Sequence, residues 1–276
     1  MIKLSLQSLS YRDTFNAGKI TLLEIIDKAA EYQMDGVDLH YTHFASTDDD
    51  YLEEIKQASL KRGLHMCYIG VSNNFGKIGD ELREQIDLMK KWIDVAAKMG
   101  IPMVRAFGSF LPKGESEEEA WPRLVESTKE VAEYGQAKGI VVGLHNHNHG
   151  CVTRTSKEVK RILEGVDNPY LSHILDTGQY VGSPGASGAD GKEDPALNFY
   201  GSIEETAPLA VHVRAKIYRI STGEEAWLDY PRIFKILNGV DYNGWVSVVY
   251  EGQADEAEET AVPKAVSYLR NFVPGS

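Results

Sequence analysis

Short apolar runs alternate with longer amphipathic stretches along almost the whole chain. Residues 2–6 alternate apolar and polar side chains, which predicts a strand with one buried face. Thr21 and Glu24 have the spacing of a helix capping box, and Leu22 and Ile25 begin an apolar face of helical period. The chain therefore starts with a strand and a helix, and this pair sets the pattern for the rest.

A glycine ends several predicted helices, and an apolar run follows it at once. At most of these junctions a lysine stands in the last turn, where a cation is favourable, and the glycine can take the left-handed conformation. A short apolar run without alternation is typical of a parallel strand buried on both faces. The glycines are Gly36, Gly63, Gly100 and Gly139, and the strands predicted after them cover 37–39, 64–69, 101–104 and 140–144.

The second half of the chain repeats this order. Helices are predicted to begin at Ser116, Thr155 and Ser202, with a last helix over about 255–272, and strands are predicted at 171–175, 209–213 and 245–250. Eight strand–helix pairs without a linker or a change in composition predict an α/β fold, a single (β/α)8 TIM barrel domain over residues 1–276. A doubly wound open sheet is the alternative, but its GxGxxG fingerprint is missing after the first strand.

Charge and cysteine content exclude several classes of protein. The 276 residues carry 29 Lys and Arg against 41 Asp and Glu, and the net charge of −12 disfavours nucleic acids and membrane surfaces as partners. Apolar runs are too short to span a membrane, and residues 1–13 lack the pattern of a signal peptide, so we expect a cytoplasmic protein. Cys67 and Cys151 cannot form a disulfide framework and are expected to be buried reduced thiols.

The active site of a TIM barrel lies where the strands end and the βα loops begin. Six of the eight histidines fall at these predicted ends, whereas His65 and His173 fall near strand starts, so we expect a polar pocket at this rim. The candidate substrate-binding residues are His40, Asn73, Arg105, His147, Gln179, His212 and Arg214, and the candidate catalytic residues are His145, Asp176, Lys216 and Glu251.

His145, His147 and His149 stand two residues apart, so along a strand they would share one side. Such histidines can bind a metal ion or act as general bases, or they can form hydrogen bonds with the backbone of the rim. Asp176, at the end of its strand, can likewise be a metal ligand, a proton carrier or a cap for the following loop.

His212, Arg214 and Lys216 place three potentially cationic groups on one face of the seventh strand. Such a face can anchor an anionic group such as a carboxylate, a phosphate or an enolate. The alternative is ion pairing with rim carboxylates such as Glu251 or Asp176, and the two interpretations are compatible.

Two further features could complete the pocket. The loop over residues 178–198 is long and rich in small residues, as covers of active sites often are, although a plain surface insertion is the alternative. Aromatic side chains near the rim could stack on the faces of sugars. These are Tyr41, Phe75, Phe107 and Trp227.

Three stretches of the chain resemble the xylose isomerase-like TIM barrels, a superfamily of sugar phosphate isomerases and epimerases that also contains endonuclease IV. They are Gly143–His147, Ile174–Gly178 and Tyr242–Val248, and they are similar to the L-E-N-H, L-D-T-G-H and G-Y-x-G-x-x-S-x-E strands of that family. The resemblance covers the whole chain in element order. The net charge of −12 and the lack of the extra zinc-binding histidines disfavour the endonuclease branch.

The resemblance also implies a divalent metal ion (Mn, Mg, Zn or Co) held by Glu, Asp, His and Glu at four strand ends. Asp176 matches the family Asp, His145 replaces the first Glu, and Gln179 stands where the family has a histidine after D-T-G. A site shifted outward by one pleat would hold the metal with some of His145, Asp176 and Glu251, together with neighbouring histidines.

The other two ligand positions point to a different account. Arg214 replaces the metal-binding His and Val249 replaces the last Glu, although His212 and Glu251 lie two residues away on the same faces. Because neither replacement can bind a metal, a metal-free site is slightly favoured. Arg214 and Lys216 would then supply the positive charge.

The activity that the resemblance implies is an isomerase or epimerase acting on a sugar, sugar phosphate or keto sugar, with proton transfer through an enediol or enediolate. The base would be Glu251 or a neutral His145 or His147. The alternatives are a lyase or hydrolase acting on an oxidised sugar in the same pocket, and a non-enzymatic sugar-binding relative. The expected partner is a small carbohydrate, and a homo-oligomer stays open.

Overall fold

The computed structural model describes residues 1–273 and contains eight parallel strands that close into a barrel in chain order. The predicted (β/α)8 TIM barrel is therefore confirmed. The strands are β1 Lys3–Gln7, β2 Gly36–His40, β3 His65–Gly70, β4 Met103–Phe107, β5 Val141–His145, β6 Leu171–Asp176, β7 Ala210–Ile217 and β8 Trp245–Tyr250. The helices are α1 Arg12–Asn16, α2 Leu22–Glu31, α3 Asp49–Lys61, α4 Gly79–Met99, α5 Glu117–Lys138, α6 Ser156–Val166, α7 Phe199–Thr206, α8 Tyr230–Gly239 and α9 Glu258–Arg270.

The chain divides into two compact units. The terminal unit contains Met1–Tyr68 together with the chain from His212 onward, and the central unit contains Ile69–Val211. In the terminal unit β1 pairs with β2 and β8, and β8 also pairs with β7. In the central unit β5 pairs with both β4 and β6. The single domain over residues 1–276 stays a prediction.

Most helix ends follow from local sequence signals. Thr21, Ser116 and Thr155 each accept a hydrogen bond from the first helical turn, and the glutamate three residues on accepts one from their N–H groups. These three capping boxes are therefore confirmed. Gly100 and Gly139 take left-handed backbone, with φ of 74° and 73°, and so end α4 and α5 shortly before the next strands.

The capping box predicted at Ser202 is wrong. Helix α7 begins at Phe199 and is capped by the side chain of Asn198, so Ser202 lies inside the helix. The hydroxyl of Ser202 instead accepts a hydrogen bond from the N–H of Ser156, while Glu205 accepts one from the Ser156 hydroxyl. The Ser-x-x-Glu spacing here serves contacts with a neighbouring helix, which the spacing alone does not distinguish from a cap.

Strand β7 is longer than predicted, and this corrects the position of one candidate residue. The strand runs to Ile217, so His212 is its third residue and pairs in register with Trp245, the first residue of β8. His212 therefore does not lie at the carboxyl-terminal end of its strand. The apolar run that marks this strand in the sequence stops at Val213. The strand itself continues beyond it, because Arg214 and Lys216 are polar but are still buried within the strand.

Cys67 and Cys151 are buried free thiols, as predicted. Within residues 1–273, no helix is both long enough and apolar enough to cross a membrane.

His173 is a fully buried histidine in β6, and its Nδ1 donates a hydrogen bond of 2.9 Å to the carbonyl of Leu144. Burial lowers the pKa of this imidazole to about 4. Between its ordinary pKa of about 6.5 and pH 4, the unfolded chain therefore binds more protons than the folded protein. It follows that stability decreases as the pH is lowered through this window.

We expect His173→Asn, which keeps a side-chain donor but cannot titrate, to reduce this loss. From pH 7 to pH 5, the free energy of unfolding should fall by ~1–2 kcal/mol more in the wild type than in the variant, as measured by urea unfolding. The same change at the exposed His65 serves as the control and should behave like the wild type. Equal losses in the wild type and His173→Asn would contradict the expectation.

Candidate active site

Three buried side chains form a hydrogen-bonded row across β4, β5 and β6 in the central unit. Nη1 of Arg105 lies 3.4 Å from Nδ1 of His145, and Nε2 of His145 lies 3.1 Å from Oδ2 of Asp176. A guanidinium only donates hydrogen bonds, so Nδ1 accepts and the neutral imidazole carries its proton on Nε2. Asp176 also accepts a hydrogen bond of 3.1 Å from the N–H of Gly178. These hydrogen bonds therefore fix both the orientation and the tautomer of His145.

Aromatic rings lie beside these three hydrogen-bonded side chains. The guanidinium of Arg105 lies 4.2 Å from the ring centroid of Phe107, and the same ring is 5.2 Å from His145 and 5.0 Å from His147. The centroids of His147 and His149 are 4.9 Å apart. Because β5 ends at His145, the predicted row of histidines continues into the loop, where His147 is half-buried. Phe107, predicted as a stacking residue, thus borders two of the predicted site histidines.

Asn73 and Gln179 are both buried but differ in what their amides contact. The Asn73 side chain accepts a hydrogen bond of 2.7 Å from the N–H of Phe107 and donates one of 3.3 Å to its carbonyl. Asn73 therefore fixes the end of β4 and has its amide committed to the backbone. Oε1 of Gln179 is buried and has no hydrogen-bond partner within the described part of the chain. An unpaired buried oxygen is costly, so Gln179 is the better candidate for binding a substrate hydroxyl.

Lys216 and Glu251 form an ion pair in the terminal unit. For Lys216 this confirms ion pairing with Glu251, which is the alternative interpretation of the cations on the seventh strand. The Lys216 side chain is 2% exposed, whereas that of Glu251 is 26% exposed. The carbonyl of Lys216 accepts a hydrogen bond of 2.5 Å from Tyr230. The pair therefore combines a buried ammonium with a carboxylate that solvent and small molecules can reach.

Arg214 is bound by a phenol that the sequence patterns do not identify. Its Nη1 donates a hydrogen bond to Oη of Tyr68, and Nε2 of Gln7 donates one of 2.6 Å to the same oxygen. All three side chains are at most 2% exposed. Tyr68 lies inside the apolar run 64–69, so the hydrophobic pattern that predicts β3 does not separate this polar contact from ordinary core packing.

Asp38 is the centre of a second buried polar cluster in the terminal unit. Its Oδ2 accepts hydrogen bonds from Ser5 at 3.1 Å and from Nε2 of His212 at 3.2 Å. Burial acts to raise the pKa of Asp38, but the interactions with His212 and the charge of Arg214 outweigh it and lower the pKa. His212, predicted to bind substrate, is thus engaged in this cluster, and Asp38 supplies a negative charge that offsets Arg214.

The end of β2 places two histidines close together. His40 is 7% exposed and its Nδ1 lies 2.7 Å from the hydroxyl of Thr42. The ring of His43 stacks on Phe15 with centroids 4.0 Å apart, and burial lowers its pKa to about 4. His43 is therefore neutral near pH 7. Its Nδ1 has no hydrogen-bond partner among the described residues, which makes it a further candidate for binding substrate.

Two predicted stacking residues are already in use elsewhere. Phe75 is 1% exposed, and its N–H donates to the Ser109 hydroxyl at 2.7 Å, so its prediction as a sugar-stacking residue is wrong. The ring of Trp227 lies 4.3 Å from the guanidinium of Arg219. Phe75 follows the end of its strand closely in sequence, but the loop turns its ring into the core.

The long loop over residues 178–198 reaches the row of histidines. The hydroxyl of Ser187 contacts Nδ1 of His149, and the Ser187 N–H donates to the side chain of Asn148 at 3.4 Å. At the start of the loop, the N–H of Val181 donates to the carbonyl of Arg154 at 3.0 Å. A role for this loop as a cover of the site stays a prediction.

The described side chains do not fit the metal centre that the family resemblance implies. Within residues 1–273, no three His, Cys, Asp or Glu side chains come together in a way that could hold a metal ion. His145 and Asp176 are hydrogen-bonded to each other, and the remaining family ligand positions hold Arg214 and Val249. The acidic and basic side chains at the strand ends are therefore the groups available for proton transfer.

Carboxylates, histidines and buried cations near the carboxyl ends of the strands of a closed parallel barrel are the arrangement found in TIM-barrel enzymes. The model of the xylose isomerase-like TIM barrel family matches residues 26–272. The chain belongs to this family, which confirms the resemblance found in the sequence motifs.

The individual proteins that the chain resembles share only a small part of its sequence. The chain is 27% identical to an inosose dehydratase of Serratia proteamaculans over 235 residues, or 76% of each protein. It is 28% identical to that of Yersinia enterocolitica, but spans only about half (53%) of its length. A D-psicose 3-epimerase from Clostridium cellulolyticum H10 has a TM-score of 0.78 at 15% identity, covering 99% of this chain and 98% of that one. A 3-keto-D-glucoside 4-epimerase from E. coli has a TM-score of 0.73 at 16% identity, covering 98% and 100%.

Proposed function

We propose that the protein is a sugar isomerase or epimerase that moves a proton next to a carbonyl group through an enediolate. The observation that carries this proposal is the Lys216–Glu251 pair, in which a buried ammonium touches a partly exposed carboxylate. A carboxylate in this position can accept a proton from a bound substrate. The ammonium can stabilise the oxygen on which negative charge develops. Family membership, and the epimerases among the structural neighbours, support a small carbohydrate as substrate.

In the proposed reaction Glu251 removes the proton from the carbon next to the carbonyl. The electrons of that C–H bond form a carbon–carbon double bond, and the carbonyl π electrons move to the oxygen. Lys216 and Arg214 supply the positive charge that stabilises this enediolate. Return of the proton to the former carbonyl carbon, with transfer of the adjacent hydroxyl proton to the former carbonyl oxygen, gives the isomer. Addition of a proton from solvent to the original carbon on the opposite face gives the epimer.

We assign a positioning role to His145 and Asp176 in the central unit, because both ring nitrogens of His145 are already engaged. Its Nε2–H donates to Asp176, and its Nδ1 accepts from Arg105. These two hydrogen bonds fix the neutral tautomer and the orientation of the ring. Gln179, His147 and His40 are assigned to substrate hydroxyls.

Product analysis tests this assignment of reaction. The protein is incubated with ketohexoses and with keto-inositols, and the products are identified by NMR and mass spectrometry. We expect a product with the mass of the substrate and a changed configuration or carbonyl position. Products that have all lost one water, or no conversion of any of these sugars, would overturn the proposal.

A dehydratase is the second candidate, favoured by the curated relatives, which are inosose dehydratases at 24–28% identity. The first step would be the same removal of a proton next to a carbonyl. The enediolate would then expel a neighbouring hydroxyl, which leaves as water after it takes up a proton. The loss of water in the product distinguishes this reaction from isomerisation.

Tyr68 is expected to act by positioning Arg214. Tyr68→Phe removes only the oxygen that accepts from Arg214 and Gln7, so we expect kcat/KM to fall by about 10- to 100-fold, which corresponds to a loss of ~1.4–2.7 kcal/mol of transition-state stabilisation. The control is Tyr242→Phe in the same unit, which removes a hydroxyl that donates to the carbonyl of Trp245 at 2.7 Å. Kinetics and thermal unfolding are measured for both variants. Equal losses of activity in the two would show that Tyr68 has no special role.

A further inference from the structure

The loop between β7 and α8, residues 218–229 of the terminal unit, is folded around one buried carboxylate. Oε2 of Glu225 accepts a hydrogen bond of 2.7 Å from the N–H of Tyr218 and one of 3.0 Å from the N–H of Arg219. Oε1 of the same side chain accepts one of 2.9 Å from the N–H of Trp227. The beginning and the end of the loop are therefore tied to a single side chain.

The chemistry of Glu225 suits this role and no smaller one. Burial raises the pKa of its carboxyl group, and the hydrogen bonds from the backbone act against this increase. A carboxylate only accepts hydrogen bonds, so its two oxygens match the backbone donors of the loop. An amide in the same place would turn its NH2 group towards at least one of these donors. The shape of the loop therefore depends on a carboxylate at this position.

Residues next to the loop hold the backbone of both members of the Lys216–Glu251 ion pair. Tyr230, which follows the loop, donates a hydrogen bond of 2.5 Å from its hydroxyl to the carbonyl of Lys216. The carbonyl of Ile217, which precedes the loop, accepts one of 2.8 Å from the N–H of Glu251. The ammonium and the carboxylate are thus both anchored where the loop begins and ends.

The loop also touches the segment that follows Glu251. A Cβ atom at Gly252 would lie 2.2 Å from the carbonyl oxygen of Tyr218, so only glycine allows the two segments to approach this closely. Tyr218 is one of the residues whose N–H groups bind the buried carboxylate. At the outer edge, Nε of Arg219 lies 3.6 Å from Oδ2 of Asp255. A change in the fold of the loop would therefore reach the neighbour of Glu251 directly.

We propose that Glu225 is a positioning residue, which keeps the loop over 218–229 in the shape that holds Glu251 against Lys216 and towards the substrate. This inference rests on the proposed function and adds to it a residue that touches no reacting atom. Proton transfer is sensitive to small displacements of the base, whereas binding through other side chains is not. Loss of Glu225 should therefore lower kcat and leave KM nearly unchanged.

Glu225→Gln tests the consequence for the reaction. With the keto sugar identified by product analysis, we expect kcat to fall about tenfold and KM to stay within about twofold of the wild type. Glu258→Gln is the matched control in the same unit. The two oxygens of the buried Glu258 accept hydrogen bonds of 2.9 Å from the N–H groups of Asp13 and Thr14, so the amide creates the same mismatch at α1. Its kcat should stay within about twofold of the wild type.

Chemical labelling of Lys216 tests the same idea without turnover. The folded protein is treated with acetic anhydride, and acetylation of Lys216 is followed by mass spectrometry. Because this ammonium is buried and paired, it reacts only when the segment opens. We expect Glu225→Gln to raise the rate of acetylation about tenfold and Glu258→Gln to leave it unchanged. Circular dichroism shows that each variant is folded under the labelling conditions.

Gly252→Ala disturbs the same contact while Glu225 stays intact, and so keeps the test decisive if Glu225→Gln does not fold. The added methyl group must push the segment after Glu251 away from Tyr218, and we expect the same decrease of kcat and the same faster labelling. Gly239→Ala is the control, because a Cβ atom at this position in α8 meets no atom within 4 Å.

The combined results separate the loop from the reaction. Equal kcat in Glu225→Gln and Glu258→Gln, or labelling of Lys216 that stays slow in both Glu225→Gln and Gly252→Ala, would overturn the inference and leave the proposed function standing. Faster labelling in these two variants, with no turnover of any keto sugar by the wild type, would support the role of the loop in holding the ion pair and contradict the proposed function.

Discussion

Replacing Glu251 with glutamine should lower kcat by about a thousandfold while the barrel remains folded. The glutamine has nearly the same size but cannot accept a proton from the substrate carbon. It also leaves Lys216 without the carboxylate of its ion pair. The amide oxygen can still accept a hydrogen bond from the buried Lys216 ammonium, which reduces the cost of removing its counter-charge. Steady-state kinetics and circular dichroism are the measurements.

A second ion pair in the same unit supplies the control. Glu256 is paired with Lys264 at 2.6 Å, and Glu256→Gln makes the same chemical change at a carboxylate outside the proposed machinery. We expect its kcat to stay within about twofold of the wild type. If Glu251→Gln retained a similar activity, Glu251 would not be the base.

The second large effect is expected for Asp176→Asn. In the wild type, Asp176 accepts hydrogen bonds from both Nε2–H of His145 and the N–H of Gly178. An amide has one accepting and one donating end, so one of these two donors must face another donor. If the amide nitrogen faces His145, the ring proton must move to Nδ1, where it meets the guanidinium of Arg105. This arrangement breaks the tautomer of His145, whereas the opposite one leaves the N–H of Gly178 facing the amide nitrogen.

For Asp176→Asn we expect kcat to fall by about 10²–10⁴-fold, because the carboxylate that holds the tautomer and orientation of a site histidine is lost. The unmatched donors should also cost ~1–3 kcal/mol of stability. Asp194→Asn is the control, because Asp194 lies in the loop after β6 and its side-chain oxygen caps Ala196, which asparagine can still do. Kinetics of Asp176→Asn equal to those of Asp194→Asn would remove Asp176 from the proposed mechanism.

Much of the barrel can be predicted from local signals, because helix caps and apolar runs depend on few neighbours. Thr21, Ser116 and Thr155 mark helix starts through hydrogen bonds within one turn. The same spacing at Ser202 fails because its groups bind residues of another helix. The end of β7 is missed for a related reason: its cations are buried only because tertiary partners satisfy them.

In the candidate site, too, some residues can be found from local sequence signals and others depend on tertiary contacts. Asp176, Lys216 and Glu251 can be found in the sequence because a charge at a strand end is unusual in a barrel. Tyr68 and Asp38 are missed, because each lies within a run that predicts a buried strand. Their importance depends on which side chains of distant strands point at them, and no local pattern contains that information. Phe75 is the opposite case, in which a residue near a strand end turns into the core.

The central claim is that the reaction transfers a proton rather than a hydride. The most direct test is to run the conversion of the keto sugar identified by product analysis in D2O and to locate deuterium by NMR. Glu251 is 26% exposed, so the proton it holds can exchange with solvent during turnover. We predict deuterium at the carbon next to the carbonyl in the wild-type product and no uptake with Glu251→Gln. A product formed over many turnovers without any deuterium at that carbon would contradict the account.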